Sequence, residues 1–355
     1  MIIGLLHERH DNRVALTPTN LAKLTTTGLS FLVEENAGER AFFSNAQYAE
    51  HATITSRNQV LNDSDIVVSI HPLPATEYRK GCIAIAQFQP FVDTEVANSL
   101  KNAGVTAFSL DMIPRTTLAQ AMDVLSSMAG IAGYQAVLLG AGALSRYMPM
   151  MVTAAGTVKP AKALILGAGV AGLQAIATAK RLGASVEAFD TRAAAKEEVE
   201  SLGAKFVEVA GAVDDRGAGG YAVQQSDEFL ARQRAEVQAR AAKADLIICT
   251  AQVRGRKAPI LLTADTVAQM RPGSVVVDLA ASTGGNCELT QNDATIQHNG
   301  VTIIGNSNLA ANMPLDASTL FGNNVANFLK LLIAKDGSLQ MDMNNEILKG
   351  AGITG

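Results

Sequence analysis

The segment between residues 163 and 190 constrains the fold more than any other part of the chain. An apolar run, residues 163–166, leads into Gly167-Ala168-Gly169-Val170-Ala171-Gly172, then into an apolar-periodic stretch and a second β-prone run. A G-x-G-x-x-G sequence is weak alone, but here it follows a predicted strand, opens a predicted helix and precedes another strand. Gly167 permits the tight turn, Gly169 lets the backbone approach a pyrophosphate, and Gly172 lets helix and strand pack closely. The segment therefore predicts a dinucleotide site at the free N–H groups of a helix.

The second strand of this unit ends in Asp190, 18 residues after Gly172. A carboxylate at that position accepts hydrogen bonds from both hydroxyls of the adenosine ribose, and it repels a 2′-phosphate. NAD(H) is therefore predicted in preference to NADP(H). Arg192 leaves the alternative open, because a nearby arginine accommodates a 2′-phosphate.

Strands and helices alternate on both sides of this unit, which predicts an α/β fold with parallel sheets. At roughly 150 residues per domain, 355 residues suggest two domains. We expect two Rossmann-like domains joined by long helices: an N-terminal domain of residues 1–125 completed by 311–355, and a nucleotide-binding domain of residues 126–310. A long helical region is predicted at residues 118–148, and the glycine-rich residues 211–220 predict a loop.

Composition and charge exclude several classes of protein. Apolar residues make up 48% and charged residues 17%, which excludes disorder. The net charge, 29 − 33 = −4, gives no electrostatic reason to expect nucleic-acid binding. The three cysteines form no C-x-x-C pair, so neither a metal site nor a disulfide framework is predicted, in keeping with a reducing cytosol. Five histidines restrict the acid–base schemes that the chain can support.

No membrane span or signal peptide is predicted. The most apolar stretch, residues 129–144, is shorter than the roughly 20 residues that a span needs, and it contains Gln135. A buried helix is expected there. The N-terminus reaches charge at Glu8, too early for a signal peptide.

Several further stretches resemble one family. They are Arg13-Val14-Ala15-Leu16-Thr17-Pro18, residues 112–134, Thr153-Ala154-Ala155-Gly156, Gly219-Gly220-Tyr221-Ala222, and Asp278-Leu279-Ala280 with Gly284-Gly285-Asn286-Cys287. Over nearly the whole chain they resemble the NAD(H)-binding domain I, or α1 subunit, of proton-translocating nicotinamide nucleotide transhydrogenase. Alanine dehydrogenase shares the same fold.

The resemblance implies roles for individual residues. In that family an Arg-Gln-Asp loop holds the nicotinamide end of NAD(H), and by motif these roles fall on Arg115, Gln120 and Asp123, with Ser126 nearby. Asp123 would orient the Arg115 guanidinium. Tyr221 matches the tyrosine of a mobile loop that closes over bound nucleotide. The predicted cofactor-binding residues are Gly167, Ala168, Gly169, Val170, Ala171, Gly172, Asp190, Thr191, Arg192 and Gly220.

The resemblance also implies an activity and an assembly. The chain would be the NAD(H)-binding part of subunit alpha of a Re/Si-specific, proton-translocating NAD(P)⁺ transhydrogenase. It would pass hydride directly between NADH and NADP⁺ bound on a partner component, coupled to proton movement by a membrane proton-channel component. The family implies a homodimer in the cytoplasm, peripheral to the inner membrane through partner subunits.

Two other functions remain open. An amino-acid dehydrogenase like alanine dehydrogenase would need a lysine and a histidine for the keto acid and an aspartate near the nicotinamide. The corresponding segments read Ser69-Ile70-His71-Pro72, Gln87-Phe88-Gln89-Pro90 and Ala280-Ala281-Ser282-Thr283, so these groups are missing and His71 is expected to be a loop histidine. The third possibility is a catalytically silent NADH-binding or regulatory module. Arg254 and Arg256 add positive charge where the family usually has an apolar residue and proline, and no role is assigned to them.

Overall fold

A computed structural model describes residues 1–25, 29–209 and 226–354. The strands are β1 Ile2–Leu5, β2 Ser30–Glu34, β3 Thr53–Thr55, β4 Ile66–Val68, β5 Ile83–Ala86, β6 Thr106–Ser109, β7 Met151–Thr153, β8 Gly156–Val158, β9 Lys162–Leu166, β10 Ser185–Phe189, β11 Lys205–Phe206, β12 Leu246–Cys249, β13 Val275–Asp278, β14 Ala294–His298 and β15 Val301–Gly305. The α-helices are α1 Pro18–Thr25, α2 Asn45–Ala49, α3 Arg57–Asp63, α4 Val96–Asn102, α5 Val124–Ala143, α6 Val170–Arg181, α7 Ala195–Ser201, α8 Asp227–Ala241, α9 Ala264–Gln269, α10 Pro314–Leu332 and α11 Glu346–Ala351.

The chain divides into two compact units. Unit 1 contains Met1–Met128 and Ala310–Gly355, and unit 2 contains Ala129–Leu309. The boundaries expected from the sequence differ from these by only a few residues. The chain passes from one unit to the other within α5, and it returns at the short 3-10 helix Leu309–Asn312.

The described strands of unit 1 form a six-stranded parallel sheet in the order β3-β2-β1-β4-β5-β6. The central strands β4 and β5 are buried along their whole length, as expected for parallel strands with helices on both faces. The C-terminal segment joins this unit through α10 and α11. The ring of Phe328 packs edge-on against Phe108 at 5.7 Å between ring centres. The expectation that the C-terminus completes the first domain agrees with this packing.

The described strands of unit 2 form a seven-stranded sheet in the order β11-β10-β9-β12-β13-β15-β14. The first six strands of that order are parallel, and β14 pairs antiparallel with β15 at the edge. The strand order reverses between β9 and β12, which makes this the point where doubly wound folds bind ligands. The predicted α/β class with parallel Rossmann-like sheets is confirmed.

Helix α5 is shorter than the predicted helical region and differs from it at both ends. A separate 3-10 helix, Thr117–Met122, precedes α5, and the two meet at Asp123. Among the described residues, α5 is the helix long and apolar enough to cross a membrane by length and composition. Its packing accounts for that composition, because a Cβ on Gly133 would lie 2.1 Å from the Ala171 carbonyl oxygen and one on Gly140 would lie 2.6 Å from Leu246.

The hairpin formed by β7 and β8 stands apart from both large sheets. It is a two-stranded antiparallel sheet in which Met151 pairs with Val158 and Thr153 with Gly156. Every residue from Val152 to Lys159 is exposed, and Val152 retains 71% of its surface. A family motif falls here, but no strands are predicted from the sequence.

Candidate functional site

The glycine loop after β9 has the geometry that its sequence predicts. Gly167 has φ +102°, in the region that favours glycine. A Cβ on Gly172 would lie 1.9 Å from the Gly167 carbonyl oxygen, so α6 can start this close to the strand only without a side chain there. Around Gly169, by contrast, no described heavy atom lies within 4 Å of an added Cβ. Gly167 and Gly172 therefore serve the turn and the packing, while Gly169 borders open space.

The start of α6 offers free hydrogen-bond donors beside that open space. The helix begins at Val170 without a side-chain cap from the described residues, and Leu173 donates to the Gly169 carbonyl in its first turn. The first N–H groups of a helix have no partner inside it, and the helix dipole favours anions at this end. Val170 is exposed. The residues present therefore fit a dinucleotide pyrophosphate.

Thr250, which no sequence motif singles out, holds the turn at the switch point. It follows β12, the strand next to β9, and its hydroxyl lies 3.0 Å from the Gly167 carbonyl oxygen and 3.3 Å from that of Leu166. A Cβ on Gly167 would lie 2.6 Å from the same hydroxyl. Its position after a buried strand is the only signal in the sequence.

Asp190 lies where predicted, at the end of β10, and its carboxylate is already engaged. It accepts the Ala168 N–H at 2.7 Å and the Arg192 N–H at 2.8 Å. The Arg192 guanidinium adds two contacts at 3.0 Å, one to each carboxylate oxygen, and it also donates to the Ala168 carbonyl at 3.3 Å. A carboxylate has about four acceptor positions, so ribose hydroxyls would replace contacts made by Arg192. Thr191, between the two charged residues, is exposed.

The segment that contains Arg115 and Gln120 lies in unit 1 and presents its functional side chains to solvent. Arg115 and Gln120 are exposed, and neither side chain has a hydrogen-bond partner among the described residues. Leu118, between them, is 83% exposed. The buried side chains of Ala119 and Met122 anchor the 3-10 helix. The segment thus combines a cation, an amide and an apolar side chain on one exposed turn.

Asp123 and Ser126 form the start of α5. One Asp123 carboxylate oxygen accepts the Ser126 N–H at 2.9 Å, and the other accepts the Ser126 hydroxyl at 2.6 Å. The motif predicts that Asp123 orients Arg115, but among the described residues these two form no ion pair. Asp123 instead caps the helix. Tyr221 and Gly220 lie outside the described residues.

A buried charged cluster, Glu8, Asp11, Arg13 and His71, lies in unit 1. Arg13 donates to both carboxylate oxygens of Asp11, at 2.9 and 2.6 Å, and His71 Nε2 lies 2.9 Å from Asp11 Oδ2. Burial alone would raise the pKa of Asp11, but the hydrogen bonds from Arg13 and His71 outweigh it and hold this pKa well below its usual range. Burial raises the pKa of Glu8, although the Ile70 N–H and the His71 charge oppose it. His71 is half-exposed, and it joins this cluster rather than standing alone in a loop.

A second group of residues, to which the sequence assigns no role, organises the loops after β12 and β13. Asp278 is fully buried, and its carboxylate accepts the N–H groups of Ala280, Asn286 and Cys287. The Asn286 amide in turn donates to the carbonyls of Ala251 and Pro259, at 2.8 Å each. The intervening Arg254 and Arg256 are exposed. Buried polar groups satisfied in this way fix loop conformation.

These two units are Rossmann-like domains of the NAD-binding oxidoreductase type, and comparison with known proteins identifies the family. The model for the N-terminal domain of alanine dehydrogenase/PNT matches residues 4–132, and the model for the C-terminal domain matches residues 136–354. The chain belongs to this family. The resemblance found in the sequence is confirmed at that level.

The similar proteins include both the transhydrogenase and the alanine dehydrogenase branches of the family. An NAD(P) transhydrogenase subunit alpha chain from Rhodospirillum rubrum, the first of the parts into which that subunit is divided, is 41% identical over 373 aligned residues, covering 100% of this chain and 96% of that protein. The crystal structure of transhydrogenase from Sinorhizobium meliloti is 38% identical with a TM-score of 0.90, covering 99% and 98%. L-alanine dehydrogenase is 27% identical with a TM-score of 0.76, covering 99% and 91%.

Two glycine substitutions separate packing from ligand binding. Gly172→Ala forces a methyl group against the Gly167 carbonyl oxygen, so we expect a loss of roughly 1–3 kcal/mol of stability or more. Gly169→Ala adds a methyl group to open space at an extended backbone, so the Tm should stay within about 1 °C of wild type while NADH affinity falls at least roughly tenfold. Thermal unfolding without nucleotide and a fluorescence titration with NADH measure the two effects. Unchanged NADH binding by Gly169→Ala would show that no phosphate approaches this residue.

Removal of the Asp190 carboxylate tests its role toward the nucleotide. A charged hydrogen bond contributes roughly 1.5–3 kcal/mol, so Asp190→Ala should weaken NADH binding roughly 10- to 100-fold. The control is Glu187→Ala on the same strand, whose carboxylate pairs with Arg240 instead. Isothermal titration should give the wild-type NADH affinity for that control. Equal NADH affinity in wild type and Asp190→Ala would remove Asp190 from the nucleotide site.

Proposed function

We propose that this chain is the NAD(H)-binding component of a proton-translocating NAD(P) transhydrogenase. The observation that carries the proposal is the joint presence of a dinucleotide loop with open space at Gly169 and an exposed segment in which Arg115 and Gln120 have no partner among the described residues. The similarity to transhydrogenase subunits over the full chain supports it. NADH bound here would pass hydride to NADP⁺ bound on a separate component.

Such a reaction asks the chain for position rather than for proton transfer. When bound, NADH supplies the hydride from its nicotinamide ring, and the acceptor is also a nicotinamide carbon. The chain must hold the ring at a near-attack distance of roughly 3–3.5 Å from its acceptor and exclude water. No general acid or base is required.

The proposed roles follow the motif. The α6 N-terminus holds the pyrophosphate, with Gly169 as the point of closest approach, and Asp190 binds the adenosine ribose in preference to a 2′-phosphate. Arg115 and Gln120 hold the nicotinamide end, and Asp123 fixes their segment through its hydrogen bonds to Ser126. Tyr221 and Gly220 belong to a loop that closes over the nucleotide.

The buried charged cluster argues against the amino-acid dehydrogenase alternative. Arg13 already has a bidentate internal partner in Asp11, and both side chains are almost completely buried. The carboxylate of a keto acid would have to compete with Asp11 for that guanidinium. The lysine expected for such a substrate is replaced by His71, whose imidazole also contacts Asp11.

The exposed β7–β8 hairpin supports the proposed homodimer. An isolated two-stranded hairpin is marginally stable in water unless it packs against something. This one exposes Val152 and Val158, and the preceding loop exposes Tyr147 and Met150 at about 60%. A second copy of the chain would cover these apolar side chains. Coupling to protons belongs to a membrane component, which would place the dimer at the cytoplasmic face of the inner membrane.

A reconstituted transfer assay tests the function directly. The purified chain is mixed with an NADP(H)-binding transhydrogenase component, and NADH-dependent reduction of an NADP⁺ analogue is followed by absorbance. Transfer should require both proteins, and L-alanine with NAD⁺ should give none. Tight NADH binding without transfer would overturn the proposal in favour of a silent module. Alanine-dependent NAD⁺ reduction by the isolated chain would establish the dehydrogenase.

A charge placed on the hairpin tests the dimer. Val152→Lys should shift the chain from dimer to monomer in light scattering coupled to size exclusion, because burying an unpaired ammonium opposes association. Val92→Lys, at a valine of matched exposure on unit 1 (72% against 71%), should remain dimeric. A monomeric wild-type chain, or a dimeric Val152→Lys, would contradict an interface at the hairpin.

A further inference from the structure

We propose that Asn324 and Asn327 of α10 are positioning residues for the exposed segment that contains Arg115 and Gln120. Both side-chain amides donate to one backbone oxygen, the carbonyl of Ala121, at 2.9 Å from Asn324 and 3.2 Å from Asn327. Residues three apart share a helix face, so the two amides reach the same carbonyl from successive positions along α10. This inference rests on the proposed function of the segment.

The position of Ala121 gives this pair its effect. Ala121 directly follows Gln120, near the end of the 3-10 helix Thr117–Met122 and two residues before Asp123. Carbonyls at the end of a helix lack partners within it, so this one can accept from outside. With two lone pairs, it accepts both amides. The clamp therefore fixes the backbone between Gln120 and Asp123.

Apolar contacts alone cannot fix this turn. Arg115, Leu118 and Gln120 are exposed, which leaves the buried side chains of Ala119 and Met122 as its apolar anchors. A loop with few buried contacts opens easily. Catalytic positioning tolerates little such motion, since a displacement of about 1 Å can reduce a rate roughly 100-fold.

Asn324 is also an unfavourable residue for packing alone. It is 6% exposed, and its Oδ1 is buried without a hydrogen-bond partner in the described structure. A buried polar atom without a partner destabilises a protein, so an apolar side chain of similar volume would suit the core better. Residues that break such rules are expected at functional sites. The amide is therefore explained by the carbonyl that it holds.

Substitution of Asn324 separates positioning from folding. Asn324→Leu removes the donor together with the orphaned oxygen, and Asn324→Asp keeps the shape but has no N–H to donate. Both should lower the kcat of hydride transfer at least roughly tenfold. NADH Kd should change less than about threefold, because the glycine loop is untouched. The Tm of Asn324→Leu should equal or exceed that of wild type.

The matched control lies one residue away. Asn323 accepts a hydrogen bond from the Asn20 amide, whereas its neighbour Asn324 donates to the Ala121 carbonyl. Asn323→Ala should therefore keep wild-type kcat even where its Tm falls. Asn327→Ala, which removes the longer bond, should give an intermediate loss of kcat.

Hydrogen exchange provides a readout that does not depend on transfer. Amides of residues 117–123 should exchange faster in both Asn324 variants and unchanged in Asn323→Ala. Absence of transfer by the wild-type chain would refute the proposed function but leave this exchange result standing. Wild-type transfer together with unchanged kcat and exchange in Asn324→Leu would overturn the positioning role. A lowered Tm with unchanged kcat would assign Asn324 to packing.

Discussion

The contact between the first turn of α6 and the turn after β9 is the constraint on which the nucleotide-binding unit depends. The Gly167 carbonyl oxygen would lie 1.9 Å from a Cβ on Gly172, so the helix approaches the strand only because that atom is missing. The approach directs the first helical N–H groups to the end of the sheet where the strand order reverses. Thr250 then holds the turn from the neighbouring strand. One steric requirement thus places both the anion-binding helix end and the space in front of it.

The segment that contains Arg115 solves a different problem, because its side chains must remain in solvent. Burial cannot order such a segment, and its described contacts are mainly hydrogen bonds at its C-terminal end. Asp123 binds Ser126, and Ala121 accepts from α10. The side chains proposed to bind the nicotinamide therefore stay free, while the backbone behind them is fixed. This arrangement accepts a buried orphan oxygen on Asn324 in return for a defined turn.

Features that depend on local patterns could be predicted from the sequence. The glycine loop, the strand that ends at Asp190 and the parallel α/β order follow from periodicity and turn chemistry. The edge strand β14, the β7–β8 hairpin and the break at Asp123 could not be predicted in this way, because each depends on tertiary packing or pairing. The clamp on Ala121 joins residues separated by more than 200 positions, and no local pattern reports such a contact. The engagement of Asp190 by Arg192 could be foreseen only as a neighbouring charge.

Proton chemistry distinguishes the two branches of the family more sharply than the fold does. Oxidation of an amine requires proton removal as well as hydride transfer, and it requires a cation that is available to the substrate carboxylate. In this chain Arg13 is bound by Asp11, and His71, the histidine that approaches the pair in the described structure, contacts the same carboxylate. That network is closed on itself and holds the Asp11 pKa low, so it is built to stay ionised rather than to exchange protons. Polar side chains without a described partner lie instead on the exposed segment with Arg115 and Gln120. A reaction in which only hydride moves between two nicotinamides needs oriented donors and no proton relay, and this distribution of paired and unpaired groups meets that requirement.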